Sequence, residues 1–231
     1  MNHLMLDLET LGGGPGCAIA SIGAVVFTEE EVTQELEINV NVESCVDVGM
    51  RIDPATLIWW LQQSREAIDA TFMQETMSIG IAVDEFVSFY EENMCERIWS
   101  HGATFDIPIM AEAARLCKRP PRINFRDARD TRTLYDLTGV NPRNFFDGST
   151  KHRAIDDARA QAKAVIAAWD TIKTWKHPAL KVIMPKMASN SRVIDGEPMP
   201  MRIGDPVVDE LPAVVSKQAA DLEVPAFLRR T

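Results

Sequence analysis

Residues 3 to 11 read His3-Leu4-Met5-Leu6-Asp7-Leu8-Glu9-Thr10-Leu11, an apolar run of strand length stopped by Gly12, Gly13, Gly14 and Pro15. Two carboxylates interrupt it, two residues apart. Side chains alternate along a strand, so Asp7 and Glu9 point to the same side. Bare carboxylates side by side in an apolar strand repel each other and lose hydration. A divalent cation between them removes both costs. The plainer alternative is an edge strand with a solvated acidic face. The cation reading needs more carboxylates, and the rest of the chain is searched for them.

The chain has 231 residues, 46% hydrophobic, enough for one substantial domain and an appendage. No apolar run approaches the roughly 20 residues that span a membrane. No basic segment followed by an apolar one opens the chain, so no signal peptide is expected. Cys17, Cys45, Cys95 and Cys117 are far apart in sequence and read as reduced thiols of a cytoplasmic protein. The net charge of −10 disfavours a nucleic-acid partner only if charge is uniform. It is not: twelve of the 24 Lys and Arg residues lie between Arg115 and Lys163, against six Asp and no Glu. That stretch can hold a phosphate backbone, or can be a solvated helix face.

Taken in order, residues 18–27 and 35–42 make two further strands, which gives an antiparallel meander. Asp53-Pro54 starts a helix as N-cap and first residue. This helix carries the adjacent Trp59 and Trp60, which cannot share a face; an exposed one can stack on a base, and core packing of both is the alternative. A helix over 81–94, a strand over 97–101 and a helix from Asp106 to about Cys117 follow. Asp106 sits where an N-cap belongs. Pro120-Pro121 ends the unit, Ile123 to Phe125 reads as a short strand, and Thr131 to Leu137 as a short helix. Residues 141–151 are loop. The long helix from about Ala154 to Trp175 places His152 just before its first turn and Asp157 inside it.

Beyond Lys176 the composition shifts: seven of the 13 prolines fall there with a single aromatic, Phe227. The expected division is a domain over 1–175 and a Pro-rich arm or linker over 176–231. The end of this tail, Val224-Pro225-Ala226-Phe227-Leu228-Arg229-Arg230, resembles the C-terminal peptide of the division tubulin FtsZ. That resemblance implies capture by receptors of the FtsZ peptide. Folding back onto the chain's own core or a twin subunit is the alternative, and a homodimer is compatible with it.

Three clusters now stand in order: Asp7-Leu8-Glu9-Thr10, His101-Gly102-Ala103-Thr104-Phe105-Asp106, and His152-x-x-x-x-Asp157. Together they resemble the three exonuclease motifs of the DEDDh 3′-5′ exonucleases in the DnaQ-like, RNase H-like superfamily. Ser21-Ile22-Gly23-Ala24, Ile58-Trp59-Trp60-Leu61, Arg129-Asp130-x-Arg132-Thr133 and Asp156-Asp157-Ala158-Arg159-x-Gln161-Ala162 are similar to the subgroup of phage T4 exonuclease A and the exonuclease VIII-like proteins. The match covers about residues 3–175. Gly102 stands where many DnaQ-like proteins have Asn.

The resemblance implies an α/β fold: a five-stranded mixed sheet of order 3-2-1-4-5 flanked by helices, with the site at the end of strand 1 beside strand 4. It implies two Mg²⁺ ions, with Mn²⁺ as a substitute, held by Asp7, Glu9, Asp106 and Asp157. Asp7 bridges both, Glu9 and Asp157 serve the nucleophile side, and Asp106 the other. His152 is the general base. Thr10 and Leu11 lie against the terminal nucleotide, Leu11 as a wedge; Trp60, Phe105 and Arg132 complete the expected substrate contacts. His3, His101 and His177 are expected to be structural or solvated. The implied activity is removal of nucleotides from single-stranded 3′ ends, with DNA first and RNA second. A nucleic-acid-binding module without catalysis is disfavoured, because all five catalytic positions are filled.

Overall fold

The computed structural model describes residues 1–119, 123–146 and 152–175, all within one unit of the chain. The tail, with its FtsZ-like peptide, and the prolines at 120 and 121 lie outside these residues. Five strands form one sheet: β1 (Asn2–Thr10), β2 (Ile19–Phe27), β3 (Val32–Asn39), β4 (Cys95–Ser100) and β5 (Ala128–Asp130), in the order β3-β2-β1-β4-β5. β1, β2 and β3 pair antiparallel, whereas β4 and β5 run parallel to β1. The expected mixed sheet and its order are thus present. β1 is central, which removes the edge-strand reading of its two acids.

Among the described residues, seven helices flank the sheet: α1 (Val42–Asp47), α2 (Pro54–Trp60), α3 (Arg65–Phe72), α4 (Ile79–Glu92), α5 (Asp106–Leu116), α6 (Thr131–Thr138) and α7 (Ala154–Thr174). Alternation along β1 sorts two cores. Leu4, Leu6 and Leu8 face one way and pack with Phe86 of α4 and Ile109 and Met110 of α5. Met5 faces the other way, with Val25, Phe27 and Trp99, against Ala158, Ala162 and Val165 of α7. Alanines dominate the buried side of α7 (Ala154, Ala158, Ala160, Ala162, Ala164, Ala168), so the helix axis approaches the sheet closely. His3 belongs to this second core: Trp99 Nε1 donates to its Nδ1 at 3.1 Å, and its ring lies 4.8 Å from that of Trp169. Burial pushes the His3 imidazole down to about 4, so it is neutral and structural, as expected.

Asp7 and Glu9 are on the same face as His3 and Met5, under the start of α7. What lets α7 begin there is Gly23, paired with Asp7 across the β1–β2 ladder. A Cβ at Gly23 would overlap the backbone of Ala154 and Ile155. Two ion-pair ladders then clamp the same helix to β3: Arg153 forks onto Glu37 and Arg159 onto Glu35, with Asp156 taking a 2.6 Å bond from Arg159 Nη1. These pairs are partly exposed and contribute modestly one by one, but they fix the rotation of the first turns of α7.

Several local expectations change. The fifth strand is Ala128–Asp130, not Ile123–Phe125: Asn124 Oδ1 accepts from Arg126 N at 3.0 Å and caps a 3-10 turn over Phe125–Asp127, leaving Phe125 82% exposed. β3 starts and ends three residues earlier than its alternation implied. Two short helices, α1 and α3, were hidden by their length. Their starts are nevertheless capped, by Asn41 accepting from Ser44 N and Ser64 accepting from Ala67 N. The loop after α6 contains a 3-10 turn over Pro142–Phe145. Asp53 and Pro54 start α2 as expected.

Because the contact at Gly23 is backbone on backbone, it has no flexible side chain to yield. Gly23→Ala should lower stability by about 1–3 kcal/mol in denaturant unfolding. An unchanged midpoint would mean that the approach of α7 is looser than described.

Candidate active site

The end of β1 supplies the first two acids. The third arrives from α5. The parallel β1–β4 ladder stops at Met5↔Trp99, which leaves a gap in the pairing on that side of β1. The Asp106 carboxylate enters this gap, and its Oδ1 accepts from the Leu8 N–H at 3.1 Å. Asp106 therefore does not cap its helix as its position suggested. Phe105 is the N-cap, without a side-chain bond, and Asp106 is the first helical residue, bonded across to β1. The fourth acid is Asp157, in the first turn of α7. Its neighbour Asp156 turns the other way into the Arg153 and Arg159 pairs.

One carboxylate oxygen each from Asp7, Glu9 and Asp157 lies within 4.8 Å of the others. Glu9 is 8% exposed and Asp106 3%. Burial, then the charges of Asp157 and Asp106, push Glu9 up to about 8. Burial pushes Asp106 up to about 7, against the opposing pull of the Leu8 N–H and the more distant Arg132. Asp157 is raised to about 6 by burial, offset by a hydrogen bond from the His152 backbone N–H. Asp7 is raised well above the usual range by burial and by the other three carboxylates. The donor set is all carboxylate oxygen, which suits a hard divalent cation rather than a soft one. Shared protons are what such a cluster holds in a cation's place.

Gln161, one turn beyond Asp157, donates from Nε2 to Asp7 Oδ1 at 2.8 Å. The Gln161 backbone carbonyl accepts from the Tyr135 hydroxyl at 2.9 Å. Sequence reasoning gave Gln161 no role; the i, i+4 spacing from Asp157, which puts both on one helix face, was the available signal.

His152 precedes α7 in a left-handed conformation, φ +63°, uncommon for a residue with a Cβ. Its carbonyl accepts from Thr71 Oγ1 at 3.3 Å. Its ring stands edge-on to Trp59, with centroids 5.1 Å apart. The two tryptophans divide as their adjacency required. Trp60 is 2% exposed and its Nε1 donates to the Thr10 carbonyl at 2.9 Å, whereas Trp59 is 41% exposed. Trp60, expected as a substrate contact, is instead a buried strut behind the end of β1, and the exposed ring of the pair is that of Trp59. Thr10 and Leu11 are buried as well, with Thr10 Oγ1 donating to the Gly12 carbonyl at 2.8 Å. Phe105 is half-buried against the first core. Arg132 is exposed and lies over Gly102, whose φ of +107° favours glycine. His101 is held by the Thr131 hydroxyl at 2.9 Å.

Of the twelve cations between Arg115 and Lys163, Arg115, Arg119, Arg153 and Arg159 are spent on ion pairs with Glu112, Asp84, Glu37 and Glu35. A third of these cations are thus committed to ion pairs within the fold.

No curated protein matches the sequence. Among solved structures, the fold is similar to the nuclease domain of 3′hExo, a DEDDh family member, bound to rAMP, with a TM-score of 0.52, 11% identity and coverage of 73% of this chain and 92% of that one. It is similar also to E. coli Exonuclease I in complex with a dA16 oligonucleotide, with a TM-score of 0.53, 12% identity and coverage of 79% of this chain and 45% of that one. The zinc-bound form of the same enzyme's ssDNA complex aligns with a TM-score of 0.54 at 14% identity, over 80% of this chain and 43% of that one. The chain spans less than half the length of Exonuclease I, and at these identities the likeness is one of fold. The family model described as the 3′-5′ exoribonuclease Rv2179c-like domain matches residues 2–169. The chain therefore belongs to the Rv2179c-like 3′-5′ exoribonuclease domain family, built on the RNase H-like fold of the DEDDh exonucleases.

Proposed function

We infer that the protein is a divalent-metal-dependent 3′-5′ exonuclease acting on single-stranded ends, with RNA as its first substrate. The observation that carries this reading is the convergence of Asp7, Glu9 and Asp157 at one point, with Asp106 electrostatically joined to them. RNA takes precedence over DNA because the family whose model covers the domain is described by its exoribonuclease activity. The motif resemblance to the T4 exonuclease A subgroup keeps DNA as the second substrate to test. Digestion of matched 3′- and 5′-labelled RNA and DNA oligonucleotides, with Mg²⁺, Mn²⁺ or EDTA, tests the reading. Stepwise shortening from the 3′ end that EDTA abolishes is expected. Internal cuts, or loss from the 5′ end, would contradict it.

Asp7, Glu9, Asp106 and Asp157 are the residues that would hold the ions, Mg²⁺ in the first instance, which when bound stabilise charge on the attacking and leaving oxygens. The chain's own groups do the rest. Gln161 fixes the orientation of Asp7. The His152 imidazole accepts the proton of the attacking water as its oxygen bonds to phosphorus. The bond from phosphorus to the upstream 3′ oxygen breaks, and that oxygen is protonated. The products are a nucleoside 5′-monophosphate and a strand one unit shorter with a 3′ hydroxyl. The exposed face of Trp59 lies beside His152 and offers a stacking surface for a base, worth about 1–3 kcal/mol.

Removing a carboxylate should abolish turnover without harming the fold. Asp7→Asn should lose cleavage yet melt no lower than wild type in EDTA at neutral pH, because it removes repulsion. The raised carboxylates also set a pH trend. The metal-free folded chain keeps protons on Glu9, Asp106 and Asp157 at a pH where the unfolded chain, with acids near 4, has lost them. Its stability contribution is therefore full below about pH 4 and is lost as pH rises through the folded values of about 6, 7 and 8. Melting in EDTA should show this decline, and Mg²⁺ or Mn²⁺ should flatten it; a metal-free protein that gains stability over the same range would contradict the assignment. For the general base, His152→Ala should lose about 10²–10⁴-fold in turnover while calorimetric metal binding persists. Loss of metal binding instead would make His152 a ligand.

A further inference from the structure

Past the carboxylates, the chain leaves β1 into Gly12-Gly13-Gly14-Pro15. This turn forms one wall of a surface cleft of about 350 Å³, and Arg51, Ile52, Asp53 and Pro54, with Cys17, form the other. The volume is that of a pocket for one small-molecule-sized unit. Resting on the nuclease reading above, we propose that this cleft is a second nucleotide subsite, in which Arg51 binds a backbone phosphate of the strand other than the one being cleaved.

Four observations support the assignment. First, the cleft is built rigidly onto the strand that carries Asp7 and Glu9. Asp53 N donates to the Leu11 carbonyl at 2.7 Å, Arg51 N to the Gly16 carbonyl at 2.8 Å, and Ala18 N to the Arg51 carbonyl at 2.8 Å. Both ends of the glycine turn are therefore stitched to the segment holding Arg51. Second, the cleft is close to the chemistry: Gly12 is three residues beyond Glu9, at most about 11 Å of chain. Third, the glycine wall is open. A Cβ at Gly13 or Gly14 would meet no atom within 4 Å, and among the described residues no acceptor is held by the N–H of Gly12 or Gly13, while the Gly14 N–H is directed to the Cys17 sulfur. An unbonded peptide N–H at exposed Gly13 suits an anion, and bare glycine peptide faces let a strand approach. Fourth, the charges have fixed roles. Arg51 is exposed at the mouth, and its guanidinium passes close to the Gly16 end of the turn. The cleft's acid, Asp53, uses Oδ1 to cap α2 by accepting from Ala55 N at 2.9 Å. Ile52 and Pro54 add apolar surface for a sugar or base.

Gly12 itself is a packing requirement rather than a contact, since a Cβ there would come within 2.6 Å of the Cys17 Cβ. The subsite accounts for the departure of this turn from a simple strand end: three glycines are more than a reversal of direction needs.

The test measures binding of a 5′-labelled single-stranded oligonucleotide by anisotropy in EDTA, for wild type and Arg51→Gln. One methylphosphonate linkage is placed in turn at each of the three positions nearest the 3′ end. Arg51→Gln should weaken binding of the unmodified strand by about tenfold and lower the salt slope by about 0.7, with an unchanged melting temperature. At one linkage other than the last, neutralisation should weaken wild type but not Arg51→Gln. Arg51→Lys should recover part of the loss. Equal affinities, or equal losses in both proteins at every linkage, would overturn the subsite. The two readings fail separately. Wild type that cleaves while Arg51→Gln binds normally removes the subsite alone, and wild type that binds through Arg51 but never cleaves with Mg²⁺ or Mn²⁺ removes the nuclease.

Discussion

Four acids are brought into a space too small and too dry for four negative charges. Asp7 and Glu9 come from one strand face, Asp106 from the point where β1 loses its β4 partner, and Asp157 from a helix pressed onto that face. Crowding and burial push all four acids toward holding protons. The arrangement is unfavourable for a bare protein, and the packing of the two cores must sustain it. Local strain of this kind is characteristic of functional sites.

The scaffold's details can be understood as the means of holding that arrangement. Gly23 and the alanine side of α7 let the helix approach, and the Arg153 and Arg159 pairs with β3 set its rotation, so that Asp157 and Gln161 project over Asp7. Asp156 and Asp157 are adjacent, yet one neutralises arginines and the other faces the acids. Trp60 braces the end of β1 through the Thr10 carbonyl, while Trp59 stays at the surface against His152. In both adjacent pairs, helix geometry sends identical side chains to different tasks.

The first strand with its two acids and the last helix were legible from local signals, period-two alternation in residues 3–11 and helical spacing over 154–175, whereas the sheet order came from the family resemblance of the three motifs. What was not legible depends on distance in sequence. No pattern says that Leu8 N–H rather than the start of α5 binds Asp106, since that follows from where the β1–β4 ladder stops. Ile123 to Phe125 looked like a strand by composition, but Asn124 caps a 3-10 turn that begins at Phe125. Adjacency fixes only that Trp59 and Trp60 differ, and the substrate contact was expected of Trp60, which is the buried one of the two. α1 and α3 are six and eight residues long, too short for periodicity to stand out.

The central claim is that these acids are a cation site held in a partly protonated state. The most direct measurement is Mn²⁺ binding by calorimetry near pH 7 in buffers of differing ionisation heat, which counts protons exchanged. With Glu9 near 8 and Asp106 near 7 in the metal-free protein, binding should release about one proton or more per chain, and Asp7→Asn should weaken it sharply. Binding with no proton release would contradict the crowded, partly protonated site, and no binding at all would contradict the metal centre itself.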